Sequence, residues 1–304
     1  MLYDVIIIGA GPAGITSAIY AARKGMKVII TCKELEFGGK VINNILVKNY
    51  PGIKEITGFD LATRFKEHLK EIEFALEEDE VKNISVGKNT FNIKTSLKIL
   101  KGKTIIIATG SEPKSLNIEG EEKYKNKGVS YCATCDSSLF FNRVVAVIGG
   151  SYTAAYTILQ MSSISRKVYA INPFNKFEID SNLLSKIHSL GSVKIFNNSD
   201  LLAIEGNDVV KKIRFIQNNI ERSIKVDGVF INVGYTPQSD LVKNIVKINE
   251  KSEIIVDSKN MTNVRGIFAA GDCTNSPYKQ IIIAAAEGAN AALGAFEYIS
   301  NLMQ

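Results

Sequence analysis

The 304-residue sequence contains no tryptophan, only two histidines, and no long hydrophobic run. A transmembrane helix needs about 18 or more consecutive apolar residues, so no membrane span is predicted. The start of the chain, MLYDVIIIGAG, has neither the basic region nor the cleavage site of a signal peptide. A cytoplasmic location is therefore expected.

A strong charge of one sign is also missing. The 37 Lys and Arg residues exceed the 31 Asp and Glu residues by only +6. Nucleic-acid-binding domains concentrate a much larger basic excess on one face, so no nucleic-acid partner is predicted. A hydrophobic fraction of 45% and this chain length indicate a folded protein of two domains.

The cysteines are few, and two of them form an isolated CxxC motif. They are Cys32, Cys132, Cys135 and Cys273. Four cysteines are too few for a disulfide scaffold of this size, and a structural zinc site needs four ligands that no second paired motif supplies. No metal is predicted. A CxxC pair favours redox chemistry, in which one thiolate attacks a disulfide and the other resolves the mixed disulfide. The adjacent Asp136 would exchange protons with the departing thiolate.

A glycine-rich turn lies near the start of the chain. The apolar run 5–8 predicts a buried strand, residues 9–14 read GAGPAG, residues 15–24 predict a helix, and residues 27–31 predict a second strand. This is the dinucleotide fingerprint in its required strand–turn–helix context.

Each glycine of this motif has a physical role. Gly9 permits the tight turn, Gly11 lets the backbone approach a pyrophosphate, and Gly14 lets the helix pack closely on the strand. The acidic residue that often binds the ribose at the end of the second strand is late or absent, with Glu34 as a substitute.

A second unit of the same kind starts at residue 144. A strand over 144–148 precedes the turn GGSYTA, a helix to about Ser163 and a strand over 167–171. Ser151 and Tyr152 spoil the fingerprint of this copy. Further strands are predicted at 91–95, 104–108, 209–215 and 228–233, and a helix rich in small residues at about 280–302.

The order and spacing of several motifs resemble the low-molecular-weight thioredoxin reductases from end to end. The matching segments are GAGPAG at 9–14, GGK at 38–40 where that family has GGQ, NYPG at 49–52, ATG at 108–110, CATCD at 132–136, AAGD at 269–272 and KQI at 279–281.

The resemblance implies an α/β fold of two Rossmann-like three-layer ββα domains, the second inserted into the first. The FAD-binding domain would comprise residues 1–113 and 241–304, and the inserted CxxC domain residues 114–240. FAD would be bound by Gly9, Gly11, Pro12, Ala13, Gly14, Gly39, Lys40, Asn49, Val81, Ala108, Thr109, Gly110, Gly271, Asp272, Lys279, Gln280 and Ile281.

The resemblance also implies the route of the electrons. They would pass from reduced flavin to the Cys132–Cys135 disulfide and on to thioredoxin, in a homodimer. Cys135 would face the flavin, Cys132 would attack the partner, and Asp136 would act as the acid.

The chain departs from this family at the expected NADPH site. Members that use NADPH carry GGGxSA or GGGxTA in the second turn and HRRxxFR after the following strand. Here the paired arginines are replaced by Pro173 and Phe174, and the last arginine by Glu178, which would repel a 2′-phosphate. The sequence therefore predicts a donor other than a nicotinamide nucleotide. It is similar in this respect to the ferredoxin-dependent flavin thioredoxin reductases, which implies reduced ferredoxin as the donor.

Two alternatives remain open at this stage. One is a thioredoxin reductase that takes NADPH or NADH through a remodelled pocket. The other, from a different class, is a non-catalytic flavoprotein that serves as a redox sensor or binding module.

Overall fold

The computed structural model describes residues 1–33, 37–44, 47–88 and 90–302, without the side chains of Asn43, Thr134 and Cys135. Glu34, which the sequence offered as a substitute for the acidic ribose ligand, lies outside these residues. The strands are β1 Leu2–Ile8, β2 Val28–Cys32, β3 Ala75–Glu78, β4 Val81–Val86, β5 Phe91–Thr95, β6 Ile99–Ile107, β7 Ser111–Pro113, β8 Val129–Ser130, β9 Val144–Ile148, β10 Lys167–Ile171, β11 Val193–Phe196, β12 Ser199–Gly206, β13 Val210–Gln217, β14 Ile220–Lys225, β15 Gly228–Ile231, β16 Tyr235–Pro237 and β17 Ile267–Ala269.

The helices alternate with these strands. They are α1 Pro12–Arg23, α2 Gly58–Leu69, α3 Ala133–Asp136, α4 Tyr152–Ser162, α5 Ser181–His188 and α6 Ile281–Leu302, with 3₁₀ turns at Gly39–Asn43, Ser137–Phe140 and Asp240–Val242. None of the described helices is both long enough and apolar enough to span a membrane.

The chain forms two compact units. The first comprises residues 1–112 and 236–304, and the second residues 113–235. The sequence placed the return to the first unit at 241. Residues 236–240 belong to the first unit because the chain there is already bonded to it: the Gln238 amide donates to the Gly110 carbonyl at 2.9 Å.

The first unit has three layers around a largely parallel sheet. Its strands run in the order β3-β2-β1-β6-β5-β4, and β17 also pairs with β6. Alternate residues of β1 face opposite sides: Val5 and Ile7 pack with α1 and α6, whereas Ile6 and Ile8 pack against β4, β5 and the segment after residue 241. Burial on both faces explains the unbroken apolar run of β1.

Strand β6 begins at Ile99, five residues before the predicted start. Its first half pairs antiparallel with β5 and its second half parallel with β17. The first half alternates exposed and buried residues, and that pattern conceals its continuity with the apolar second half.

The second unit repeats this plan. A parallel sheet in the order β11-β10-β9-β15-β8 lies against α4 and α5 on one face and the antiparallel β12-β13-β14 sheet on the other. The two units confirm the predicted α/β class with two Rossmann-like domains.

A close helix contact stabilises the first unit. A Cβ atom placed on Gly288 of α6 would lie 2.1 Å from the carbonyl oxygen of Ala13 in α1. The Ser17 hydroxyl donates to the Gly288 carbonyl at 2.9 Å. The small residues predicted for α6 thus allow its backbone to pack directly against the backbone of α1.

We expect Gly288→Ala to lower the free energy of unfolding by about 1–3 kcal/mol, because the added methyl group must force the two backbones apart. Thermal and denaturant unfolding followed by circular dichroism measures this loss. Gly191→Ala is the matched control, since nothing lies within 4 Å of its added Cβ. Equal stability of the two variants would contradict the close contact.

Candidate functional site

In the glycine turn after β1, two of the three motif glycines leave no room for a side chain, whereas the third has space beside it. Gly9 has φ +111°, and a Cβ there would lie 2.2 Å from the Ala108 carbonyl oxygen. A Cβ on Gly14 would lie 2.0 Å from the Gly9 carbonyl oxygen, whereas a Cβ on Gly11 would meet nothing within 4 Å. The space beside Gly11 is therefore open, at the place where the sequence predicts a ligand's phosphates.

The amino terminus of α1 points its backbone donors into that space. Gly11 is the N-cap without a side-chain capping bond, Pro12 opens the helix, and the first turn contains no acidic residue. Unpaired amides and the positive end of the helix dipole bind phosphate. These residues fit the pyrophosphate of FAD.

A charged cluster lies next to this turn, beyond the carboxyl ends of β6 and β17. The Lys40 ammonium lies 2.6 Å from the Asp272 carboxylate and 2.5 Å from the Ser111 hydroxyl. Gly39 lies close enough to the turn that its Cβ would be 3.4 Å from the Gly11 Cα. Sequence reasoning placed Lys40 and Asp272 here but missed Ser111, which directly follows ATG.

Other predicted ligands gather where the chain enters α6. The Asn49 amide donates to the Gln280 side chain at 3.0 Å, and the Lys279 ammonium to the Thr274 carbonyl at 2.5 Å. Ile281 opens the helix. Asn49 is thus brought from a remote part of the sequence to the consecutive residues Lys279, Gln280 and Ile281 at the start of α6.

The remaining predicted ligands follow the carboxyl ends of β6 and β3 in the sheet of the first unit. The Ala108 amide donates to the Ile8 carbonyl at 2.8 Å, the Thr109 hydroxyl to the Gln238 carbonyl at 2.5 Å, and Gly110 has φ +71°. Val81 begins β4 shortly after the carboxyl end of β3.

Glu287 is a residue that sequence reasoning missed. Its carboxylate accepts the Gly271 amide at 2.7 Å and the Thr274 hydroxyl at 3.0 Å, which fixes the loop carrying Asp272. Its only signal was an acidic side chain on an otherwise apolar helix face.

Residues 130–137, which contain the CxxC motif and form the redox loop, lie in the second unit. Cys132 is disulfide-bonded, while Cys32 and Cys273 are free. The Cys132 amide donates to the Ser130 hydroxyl at 3.0 Å, and the Asp136 amide donates to the Cys132 carbonyl at 3.2 Å. The short helix α3 therefore begins directly after Cys132 and contains the rest of the CxxC segment, with Asp136 as its last residue.

Three hydrogen bonds that sequence reasoning missed hold this loop. The Gln160 amide of α4 donates to the Ala133 carbonyl and the Ser137 hydroxyl, each at 3.1 Å. On the other side, the Tyr131 hydroxyl donates to Glu121 at 2.7 Å. Burial raises the pKa of Tyr131, and its bond to Glu121 raises it further, so the phenol stays protonated and donating.

The free cysteines have the environment of packing residues. Burial raises the pKa of Cys273, which is fully buried, and burial beside Glu78 raises that of Cys32. Neither is poised as a thiolate nucleophile. Among the described residues, no group of three or more His, Cys, Asp or Glu could hold a metal ion.

The turn after β9 keeps the backbone of a dinucleotide turn despite its altered sequence. Gly149 has φ +133°, and its Cβ would lie 2.3 Å from the Asn232 carbonyl oxygen, much as in the first unit. The Gly150 carbonyl accepts the Glu178 amide at 2.8 Å, the same distance at which the Ala10 carbonyl accepts the Gly38 amide.

The side chains around this second turn are what differ. A Cβ on Gly150 would lie 2.9 Å from the Phe174 ring, which therefore packs against the turn. The Tyr152 hydroxyl accepts the Asp180 amide at 3.1 Å and lies 3.4 Å from its carboxylate. Phe174 and Tyr152 remain about half exposed.

The chain belongs to the pyridine nucleotide-disulphide oxidoreductase family, whose model matches residues 3–288. This confirms the predicted superfamily of flavin disulfide oxidoreductases. Among curated relatives, it is 37% identical over 98% of its length to an NADH dehydrogenase of Ferdinandcohnia aciditolerans and to a subunit of the alkyl hydroperoxide reductase of Staphylococcus aureus. The chain spans 57% and 59% of the length of these two proteins.

Solved structures match over their full length. The Lactococcus lactis thioredoxin reductase is 31% identical with a TM-score of 0.92, covering 98% of this chain and 99% of that one. The T. acidophilum thioredoxin reductase is 35% identical with a TM-score of 0.89, covering 100% and 99%. A ferredoxin-flavin thioredoxin reductase from Clostridium acetobutylicum is 30% identical with a TM-score of 0.54, covering 99% of both chains.

We expect Gly11→Ala to weaken FAD binding at least about tenfold while the apoprotein keeps its stability, because the new methyl group fills only the open phosphate space. Titration of apoprotein with FAD, followed by flavin fluorescence, measures the affinity. Gly191→Ala again serves as the control. Unchanged affinity in Gly11→Ala would show that the phosphates lie elsewhere.

Proposed function

We propose that this chain is an FAD-dependent thioredoxin-disulfide reductase, in which electrons pass from the flavin through the Cys132–Cys135 pair to thioredoxin. The observation that carries the proposal is the disulfide-bonded Cys132, followed by Asp136, in a chain that also has an open phosphate cradle at Gly11. The solved thioredoxin reductases that match over nearly their whole length support this assignment. A cytoplasmic homodimer remains part of the prediction.

The chemistry follows from the residues of the redox loop. FAD, when bound, supplies two electrons, which with two protons convert the disulfide to two thiols. The Cys132 thiolate then attacks the partner's disulfide, and Cys135 attacks the mixed disulfide to release the partner as a dithiol. Asp136 holds the proton that the leaving sulfur takes up.

The surface beside the redox loop fits a protein partner. Leu139 and Phe141 are 72% and 75% exposed, while Phe140 between them is buried against Phe230 at a ring distance of 5.2 Å. Because Phe140 is buried, Leu139 and Phe141 on either side of it are left exposed. Exposed apolar side chains grouped in this way are typical of interaction sites.

We expect Cys135→Ser to abolish thioredoxin reduction, by about 1,000-fold or more, because the mixed disulfide on Cys132 can no longer be resolved. Reductase assays with a chemically reduced enzyme and a mass measurement of the trapped mixed disulfide test this. Cys32→Ser is the control, since its thiol is free and lies in the first unit. A non-catalytic sensor or binding module would show no turnover in the wild type and no difference in Cys135→Ser.

We further propose reduced ferredoxin as the electron donor. The NADPH clamp is replaced by Pro173, Phe174 and Glu178, and the Phe174 ring packs where the turn would meet a nucleotide. A matching structure is itself described as a ferredoxin-flavin thioredoxin reductase. The net charge of +6 favours encounter with an acidic protein donor.

A second candidate donor is NADH. The second turn keeps its backbone hydrogen bonds, and Asn232 Oδ1 is the one buried side-chain oxygen or nitrogen among the described residues without a hydrogen-bond partner. A buried acceptor beside a dinucleotide turn is a place for a ligand's donor. The curated relatives include a protein named NADH dehydrogenase.

An anaerobic titration of the flavin absorbance separates the donors. We expect NADPH and NADH to leave the flavin oxidised and reduced ferredoxin to bleach it fully. NADPH lacks its 2′-phosphate clamp, and either nucleotide would meet the Phe174 ring packed against the second turn. Dithionite provides the fully reduced reference. Rapid bleaching by near-stoichiometric NADH would overturn ferredoxin dependence in favour of the second candidate.

A further inference from the structure

We propose that Lys40 is a residue that tunes the redox potential of the flavin. Its ammonium group, held by Asp272 and Ser111, lies on the flavin side of the cofactor crevice and makes the bound FAD easier to reduce. This inference rests on the proposed FAD binding and extends it to a residue at which the chain departs from the resembling family, which has glutamine there.

The order of the strands places Lys40 with respect to the cofactor. The pyrophosphate of FAD would lie at the amino terminus of α1, after β1, and the adenosine ribose in such folds is bound at the end of the second strand. Strand β2 lies on one side of β1, and β6 followed by β17 lies on the other. The flavin half of an extended FAD would therefore lie toward β6 and β17.

The contacts of Lys40 are on that same side. Ser111 lies just beyond β6 and Asp272 just beyond β17, and both lie within 2.6 Å of the Lys40 ammonium. Ser111 is buried, and the Asp272 carboxylate is only 19% exposed. These partners fix the cation at the flavin end of the crevice rather than over the phosphates.

The charge balance gives the direction of the effect. Lys40 and Asp272 together are neutral, whereas glutamine in place of Lys40 would leave the carboxylate unbalanced. Reduction of the isoalloxazine by two electrons and one proton adds one negative charge. An unbalanced carboxylate nearby opposes that charge, so the lysine favours the reduced cofactor.

The test is the midpoint potential of the FAD-loaded protein, measured by reductive titration against a reference dye. Lys40→Gln is expected to move the potential to more negative values by at least tenfold in the equilibrium constant, about 30 mV for a two-electron couple. Asp272→Asn is expected to move it to more positive values, because it leaves the lysine unbalanced.

Two controls isolate the charge and its position. Lys40→Arg keeps the charge and is expected to change the equilibrium constant by less than threefold, about 14 mV. Lys103→Gln breaks the ion pair between Lys103 and Asp4, whose side chains are 34% and 23% exposed. This pair is comparable to Lys40 and Asp272, whose side chains are 37% and 19% exposed. This pair lies away from the carboxyl ends of β1 and β6, so no shift is expected.

Three results would overturn the inference. An unchanged potential in Lys40→Gln with FAD affinity weakened tenfold would place the lysine at the pyrophosphate. Shifts of the same sign in Lys40→Gln and Asp272→Asn, or an equal shift in Lys103→Gln, would show a general disturbance. A wild-type chain that binds no FAD would refute the proposed function itself. Measurement of FAD binding by the wild type distinguishes that outcome from failure of this inference alone.

Discussion

The close approach of backbone to backbone at glycine is the constraint on which the cofactor crevice depends. Gly9 brings the first turn against Ala108, Gly14 brings α1 against that turn, and Gly288 brings α6 against α1. Since none of these contacts leaves room for a side chain, the three segments have a single arrangement. The amino terminus of α1 is thereby fixed at the carboxyl ends of β1 and β6, where its unpaired amides can act together.

The second unit shows that such a turn survives the loss of its fingerprint. Gly149 retains the positive φ and the contact with a neighbouring carbonyl, although Ser151 and Ala154 replace the second and third glycines of the motif. The backbone of the turn is determined by the first glycine and by the strand bonds around it. The later positions instead determine what can approach the turn from outside.

The elements that the sequence predicts best are short strands bounded by turn residues. Strands β5, β9 and β10 have the predicted bounds, although β9 is a buried apolar run and β5 alternates buried residues with the exposed Lys94. Strand β8, with only two residues, has no such pattern. Partners such as Ser111 for Lys40 and Gln160 for Ala133 could not be predicted, since each depends on the packing of segments remote in sequence.

A site that has only lost its ligand differs from a remodelled site in whether its polar groups have hydrogen-bond partners. A site that has merely lost its ligand tends to retain polar groups without partners. Here the new polar groups are bonded: Lys40 to Asp272 and Ser111, and Tyr152 to Asp180. The substitutions at Lys40 and Tyr152 are thus satisfied within their own units, whereas Asn232 Oδ1 beside the second turn has no hydrogen-bond partner among the described residues. The two proposed donors, reduced ferredoxin and NADH, both lack a 2′-phosphate, and the proposed flavin crevice already contains a lysine and an aspartate that balance in charge.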